Sequence, residues 1–206
     1  YAPERYSLIE ASTKCGKTMG CMVWLLDQAW THGQPGRNYW WVAPIFDQAA
    51  IAFKRIRLGL RVTPAPPDIN LTSRTIELPN GATLWFKSGD KPDSLYGEDV
   101  FAAVVDEASR VKEESFYAVR STLTHTRGPI RIIGNVKGRK NWAYQLARKA
   151  EAGEPNMSYH TYDRYLSILR QSDAAVQQAA ERALVALLDK IRQGQTPRAA
   201  IDAVMR

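Results

Sequence analysis

Ala11-Ser12-Thr13-Lys14-Cys15-Gly16-Lys17-Thr18 is the stretch whose reading decides the fold. Gly-Lys-Thr after a short polar run is the working end of a phosphate-binding loop. Its backbone N–H groups turn toward phosphate oxygens, and the helix that follows presents the positive end of its dipole. Lys17 would neutralise the β- and γ-phosphates, Thr18 offers a hydroxyl to Mg²⁺, and Gly16 keeps a Cβ out of the phosphates' path. Ala11 stands where the usual pattern has its first glycine, so the flanks must agree before the motif counts. Tyr6-Ser7-Leu8-Ile9-Glu10 reads as a short strand, and Met19 to Trp30, apolar at Met22, Val23, Leu25, Leu26 and Ala29, reads as a mostly buried helix.

The second signal lies downstream. Phe101-Ala102-Ala103-Val104-Val105 is an apolar strand that ends in Asp106-Glu107, which puts two carboxylates at the carboxyl edge of a sheet, where ligands bind in open α/β folds. Asp106 would hold Mg²⁺ through its water shell, and Glu107 would orient and deprotonate an attacking water. Either signal alone is common, and acids after a strand also cap helices. Together they make a two-part ATPase site. A third element is the strand Ile130-Arg131-Ile132-Ile133, which ends at Gly134-Asn135; a polar side chain there, beside the acids, is placed to sense a γ-phosphate, and Asn135 is the candidate. Ordinary turn chemistry is the other reading of Gly-Asn.

The remaining segments supply a frame. Tyr39-Trp40-Trp41-Val42-Ala43 predicts a second core strand ended by Pro44, and Phe46 to Leu60 predicts a helix with Ala49, Ala50, Phe53, Ile56 and Leu60 inward. Lys54, Arg55, Arg57 and Arg61 give that helix a basic side, either a solvated face or one that tracks a nucleic-acid backbone. Thr63 to Pro67 is stiff connector. Asn80-Gly81 between two alternating runs, Arg74 to Leu78 and Ala82 to Phe86, predicts a hairpin. Glu113 to Leu123 and Asn141 to Ala150 predict helices, and Met157 to Tyr162 a last strand. Past Arg164, Tyr165 to Gln193 has neither Pro nor Gly and carries Leu169, Val176, Ala180, Leu184, Leu187, Leu188 and Ile191 on one stripe, which predicts a long amphipathic helix. Gly194 stops it, and Thr196-Pro197 starts a short one.

With 45% hydrophobic residues over 206 positions, the chain can bury a real core as one domain with an appendage. The formal net charge of +7 suits a partner made of phosphates. No run of about 18 apolar residues and no charged-then-apolar leader occurs, so neither a membrane span nor a secretory signal is expected, and the expected location is cytoplasmic. Cys15 and Cys21 are the two cysteines, read as reduced, and His32, His125 and His160 have no metal-ligand spacing. The chain begins at Tyr1 without a Met and with barely a strand before the loop, which is the expectation for a fragment.

With these pieces in hand, the chain resembles the ATPase domain of the large terminase subunit of tailed bacteriophages. The resemblance is carried by the phosphate loop, Tyr39-Trp40-Trp41-Val42-Ala43-Pro44, Pro92-Asp93-Ser94-Leu95-Tyr96-Gly97, Val104-Val105-Asp106-Glu107-Ala108 and Gly134-Asn135, in that order over about residues 5 to 162. It implies an ASCE-type phosphate-loop NTPase of three layers, a mainly parallel sheet flanked by helices, over 1–163, with 164–206 as a helical tail or linker. It also implies a motor that uses ATP and Mg²⁺ to pump double-stranded DNA through a portal into a procapsid. Its partners would be the portal protein and the small terminase subunit, and its setting the cytoplasm of an infected bacterium. The active form implied is a homo-oligomeric ring, with a monomer in isolation.

The resemblance also assigns residues. Ser12, Thr13, Lys14, Cys15, Gly16, Lys17 and Thr18 match the nucleotide loop, with Lys14 matching a basic residue proposed to act as a finger in cis. Asp106 and Glu107 match the metal-associated and catalytic acids, and Gly134-Asn135 matches the coupling turn, where relatives often have Ser/Thr and Pro. Arg120 and Arg127, in the segments after the acids, are candidates to serve a neighbouring subunit in trans. The family's nuclease domain is not expected here, since Asp163, Asp173, Asp189 and Asp202 sit in helical contexts. Two rival readings remain: another DNA-dependent translocase or helicase, and an ATP-binding assembly module that does not turn over.

Overall fold

The computed structural model describes residues 3–11, 15–60, 66–135 and 137–161. Ser12, Thr13 and Lys14 of the loop and the expected tail helices lie outside the described residues. Strand β1 (Tyr6–Glu10) leads into the phosphate-loop stretch and helix α1 (Lys17–His32) follows it; β2 (Asn38–Ala43) and α2 (Phe46–Leu60) repeat the pattern. Then come β3 (Asp68–Asn70), β4 (Thr75–Glu77), β5 (Thr83–Ser88) and β6 (Val100–Val105), followed by α3 (Glu113–Thr122), β7 (Ile130–Gly134), α4 (Trp142–Glu151) and β8 (Met157–Thr161).

All eight strands join one sheet in the order β3-β4-β5-β2-β6-β7-β1-β8. From β5 to β8 every pairing is parallel, and β3 and β4 add an antiparallel edge. Both faces are covered, which is why β2 reads as a continuous apolar run instead of an alternating one. Tyr39, Trp41 and Ala43 pack with α1 and α2, while Trp40 and Val42 pack with α3 and α4. Three layers result, with the sheet in the middle.

Asn-Gly makes the predicted turn: Gly81 N–H donates to Leu78 O and Leu78 N–H to Ala82 O, both at 2.8 Å. The Asn80 side chain also donates to Ala29 O (2.9 Å) and Trp30 O (3.1 Å), carbonyls at the end of α1 that the helix itself leaves unfilled. Between the connector and the hairpin, β3, which is not among the strands predicted from sequence, pairs Asp68 with Glu77 and extends the hairpin to a three-stranded meander. On the other face, Asn141 caps α4 by accepting from Ala143 N–H (3.0 Å), and its amide donates to Ser109 O (2.9 Å). Trp142 stacks on Phe116 with ring centroids 4.5 Å apart and donates to Val111 O (2.8 Å). The carboxyl ends of β6, β7 and β1 are thereby brought to one edge, with β7 in the middle.

Candidate active site

Three chain segments meet at that edge. α1 begins immediately after Gly16, whose φ of 84° is a left-handed conformation that glycine reaches without Cβ strain. Lys17 is buried at 8% exposure, and its ammonium donates to Asn135 Oδ1 at 3.1 Å. The first residue of the helix is thus joined to the residue just past β7. Thr18 and Cys15 are half-buried beside it. At the base of the loop, Ala11 N–H donates to Gly134 O (3.2 Å), so β1 and β7 stay paired up to the point where the loop departs.

On the other side of β7, Asp106 follows the last residue of β6, and its Oδ1 accepts the Glu107 N–H at 3.0 Å. Burial, and then the charge of Glu107, push the Asp106 carboxyl up to about 6; the Glu107 N–H, Lys17 and Arg55 pull it back. Such a carboxylate gains from a cation beside it. Arg55 belongs to the α2 face that the sequence presented as a basic surface, and its field at Asp106 could not be read from spacing. Glu107 has φ 49° and ψ 45°, a left-handed conformation rare outside glycine, and it opens the short 3₁₀ turn Ala108–Arg110. Strain of this kind collects where a side chain must be aimed. A Cβ on Gly134 would lie 3.1 Å from Ala108 N, so glycine at the end of β7 is what lets the acid-bearing segment lie against it.

The predicted site residues therefore divide. Gly16, Lys17, Thr18, Asp106, Glu107 and Asn135 come together at one edge, while Ser12, Thr13 and Lys14 are outside the described residues. Arg120 and Arg127, the candidates to serve a neighbouring subunit, lie away from the acids of their own subunit. α3 runs back toward the amino edge, where the Arg120 guanidinium lies 5.9 Å from the ring of Tyr6, the first residue of β1. Arg127, at φ 51°, sits in the loop entering β7 at that same edge. Strand direction decides this, and spacing from the acids does not encode it.

A family model described as terminase large subunit, T4likevirus-type, N-terminal, matches residues 8–187. The chain belongs to this family. Among curated relatives, the terminase large subunit of Thermus virus P23-45 is 33% identical over 135 residues, which cover 55% of this chain and 27% of that protein. The chain thus spans about a quarter of that relative's length. Its fold is that of the large terminase ATPase domain of Thermus phage P74-26, with a TM-score of 0.69 and 21% identity over 89% of this chain and 84% of that one. The large terminase of another thermophilic bacteriophage, solved in complex with ADP, gives a TM-score of 0.68 and 16% identity over 85% of this chain and 45% of its own. As in these terminase domains, the sheet is mainly parallel and flanked by helices on both faces, the arrangement of a phosphate-loop NTPase.

Proposed function

We propose that this chain is the ATP-hydrolysing part of a DNA-packaging motor, which translocates double-stranded viral DNA through a portal into a procapsid. The observation that carries the reading is the Lys17–Asn135 hydrogen bond at 3.1 Å beside the raised Asp106 carboxyl, since it joins the phosphate-loop helix to the strand next to the acids. Family membership supports the packaging context, and the ADP and ATP-γ-S complexes solved for the large terminase of a thermophilic bacteriophage support nucleotide binding.

The donor set fits Mg²⁺. A hard cation that keeps most of its waters needs one hydroxyl and one carboxylate from the protein, here Thr18 and Asp106. Among the described residues no group of three or more His, Cys, Asp or Glu forms a cage that would select another metal. When bound, magnesium offsets charge at the phosphates. Lys17 would leave Asn135 for the β- and γ-phosphate oxygens, and the freed Asn135 would meet the γ-phosphate or the attacking water. Glu107 takes the proton from that water, and Lys14 adds positive charge where the transition state gains negative charge. A homo-oligomeric ring would supply a further cation in trans; in isolation the chain would be a monomer of low turnover. The small terminase subunit would deliver DNA, in the cytoplasm of the infected host. No helix among the described residues is long and apolar enough to cross a membrane, which suits that setting.

The test is phosphate release from Mg²⁺·ATP by the full chain, with and without double-stranded DNA. Lys17→Ala should abolish nucleotide binding, whereas Glu107→Gln should bind without turning over and stop DNA entry in a portal–procapsid assay. Packaging that survives Glu107→Gln would sink the motor reading, and unwinding in a strand-displacement assay would replace it with a helicase.

A further inference from the structure

We propose that Arg148 is a positioning residue that clamps the entry of the phosphate loop through Glu10; this rests on the nucleotide reading of that loop. Glu10 is the last residue of β1, one position before Ala11. Its side chain points to the α4 face of the sheet, in register with Tyr6 and Leu8, which are core there. An apolar residue would suit that position, yet a carboxylate with 12% side-chain exposure occupies it. Its Oε2 accepts from Arg148 Nη2 at 2.5 Å and from Tyr159 O–H at 2.9 Å. The partners come from α4 and β8, and the Arg148 guanidinium lies 5.0 Å from the Tyr144 ring centroid and 4.7 Å from that of Tyr159. Its Nη1 goes to Glu151 at 2.6 Å.

The other end of α4 shows why such a pair matters. Asn141 and Trp142 fasten it to Ser109 and Val111, immediately after the acids. One short helix therefore spans from the segment carrying Glu107 to the residue that launches the phosphate loop. A shift of the acid-bearing segment on nucleotide binding would move α4 through Asn141 and Trp142, and Arg148 would pass that movement to Glu10. The carboxylate is half-buried and held by a charge, so removing Arg148 leaves it with the Tyr159 hydroxyl but no counter-charge from α4 and favours release of the strand end.

The experiment has two readouts. In the nucleotide-free full chain, exchange of the Ala11 amide, which donates to Gly134 O, should speed up about tenfold in Arg148→Met, because the end of β1 frays. With a fluorescent ATP derivative and Mg²⁺, Arg148→Met should weaken binding and raise KM by about tenfold while kcat at saturation stays within about twofold. Arg148→Lys should recover part of both, and Tyr159→Phe should produce a smaller version of both without a change in charge. Adding Glu10→Gln to Arg148→Met should cost nothing more. Unchanged Ala11 exchange, or a lowered Tm with KM as in the wild type, would overturn the clamp. A wild-type chain that binds no nucleotide would overturn the reading of the loop, and the clamp with it. Binding lost in Lys17→Ala but untouched in Arg148→Met would overturn the clamp alone.

Discussion

The two ends of the parallel strands are built for different purposes. At the amino edge, cations close the structure on itself. Arg5 donates to Leu123 O (2.7 Å) and Gly128 O (3.3 Å), Arg131 donates to Glu4 O (3.1 Å), and Thr126 donates to Val100 O. Backbone carbonyls of neighbouring loops are the acceptors, so these side chains serve the fold. At the carboxyl edge the polar groups are held by their neighbours in the site: Lys17 on Asn135, Asp106 on the Glu107 amide, and Glu107 in a left-handed conformation. Polar groups that satisfy the backbone stabilise a domain, whereas groups kept near one another under strain are prepared for a ligand.

The largest expected effect tests that division directly. Glu107→Gln should lower ATP turnover by roughly 10²–10⁴-fold, the usual contribution of a general base, with Tm little changed. Arg127→Ala at the amino edge should leave the turnover of an isolated chain as it was. Phosphate release and thermal melts on both variants check this, and a comparable loss in Arg127→Ala would break the comparison. Next comes Gly134→Ala, whose added Cβ would press on Ala108 N at 3.1 Å. Overpacking of this kind costs about 1–3 kcal/mol, and because the displaced segment carries Glu107, kcat should fall with it. Arg5→Ala should cost a similar 1–3 kcal/mol of stability from its lost charge-assisted hydrogen bonds, measured by denaturant unfolding, with kcat and KM unmoved.

How much of this was legible follows from how local each cause is. The core strands announced themselves, because a strand buried on both faces must be continuously apolar, and Tyr39 to Ala43 and Phe101 to Val105 are. That Lys17 and Asn135 would meet beside the acids was legible for a related reason: each motif sits in a few consecutive residues at a strand end. β3 was not, since Asp68–Asn70 is three residues long with Ile69 as its one apolar side chain, and it exists because β4 offers an edge. The edge at which Arg120 and Arg127 lie was not legible, because distance along the chain after a strand says nothing about which edge the chain has returned to. Glu10 and Arg148, 138 positions apart, meet only once β8 has been laid beside β1.

The smallest expected effect asks how deep the prepared edge reaches. Cys15 lies in the phosphate loop and is half-buried, while Cys21 is just over one turn along α1 at 4% exposure. Burial first, and the charge of Asp106 second, push the Cys21 thiol up to about 12, with Arg131 opposing. Its reactive thiolate is therefore scarce near neutral pH. A small alkylating reagent should modify Cys15 in the native chain and reach Cys21 only on unfolding, and saturating nucleotide should slow the first reaction. Cys15→Ala should change stability by no more than about 0.5 kcal/mol, and Cys21→Ala by about 1 kcal/mol, because a thiol that touches the core leaves a gap when it is removed. If Cys21 reacts as fast as Cys15 in the folded chain, the open character of the site extends past the first turn of α1, and the boundary between prepared edge and closed core moves inward.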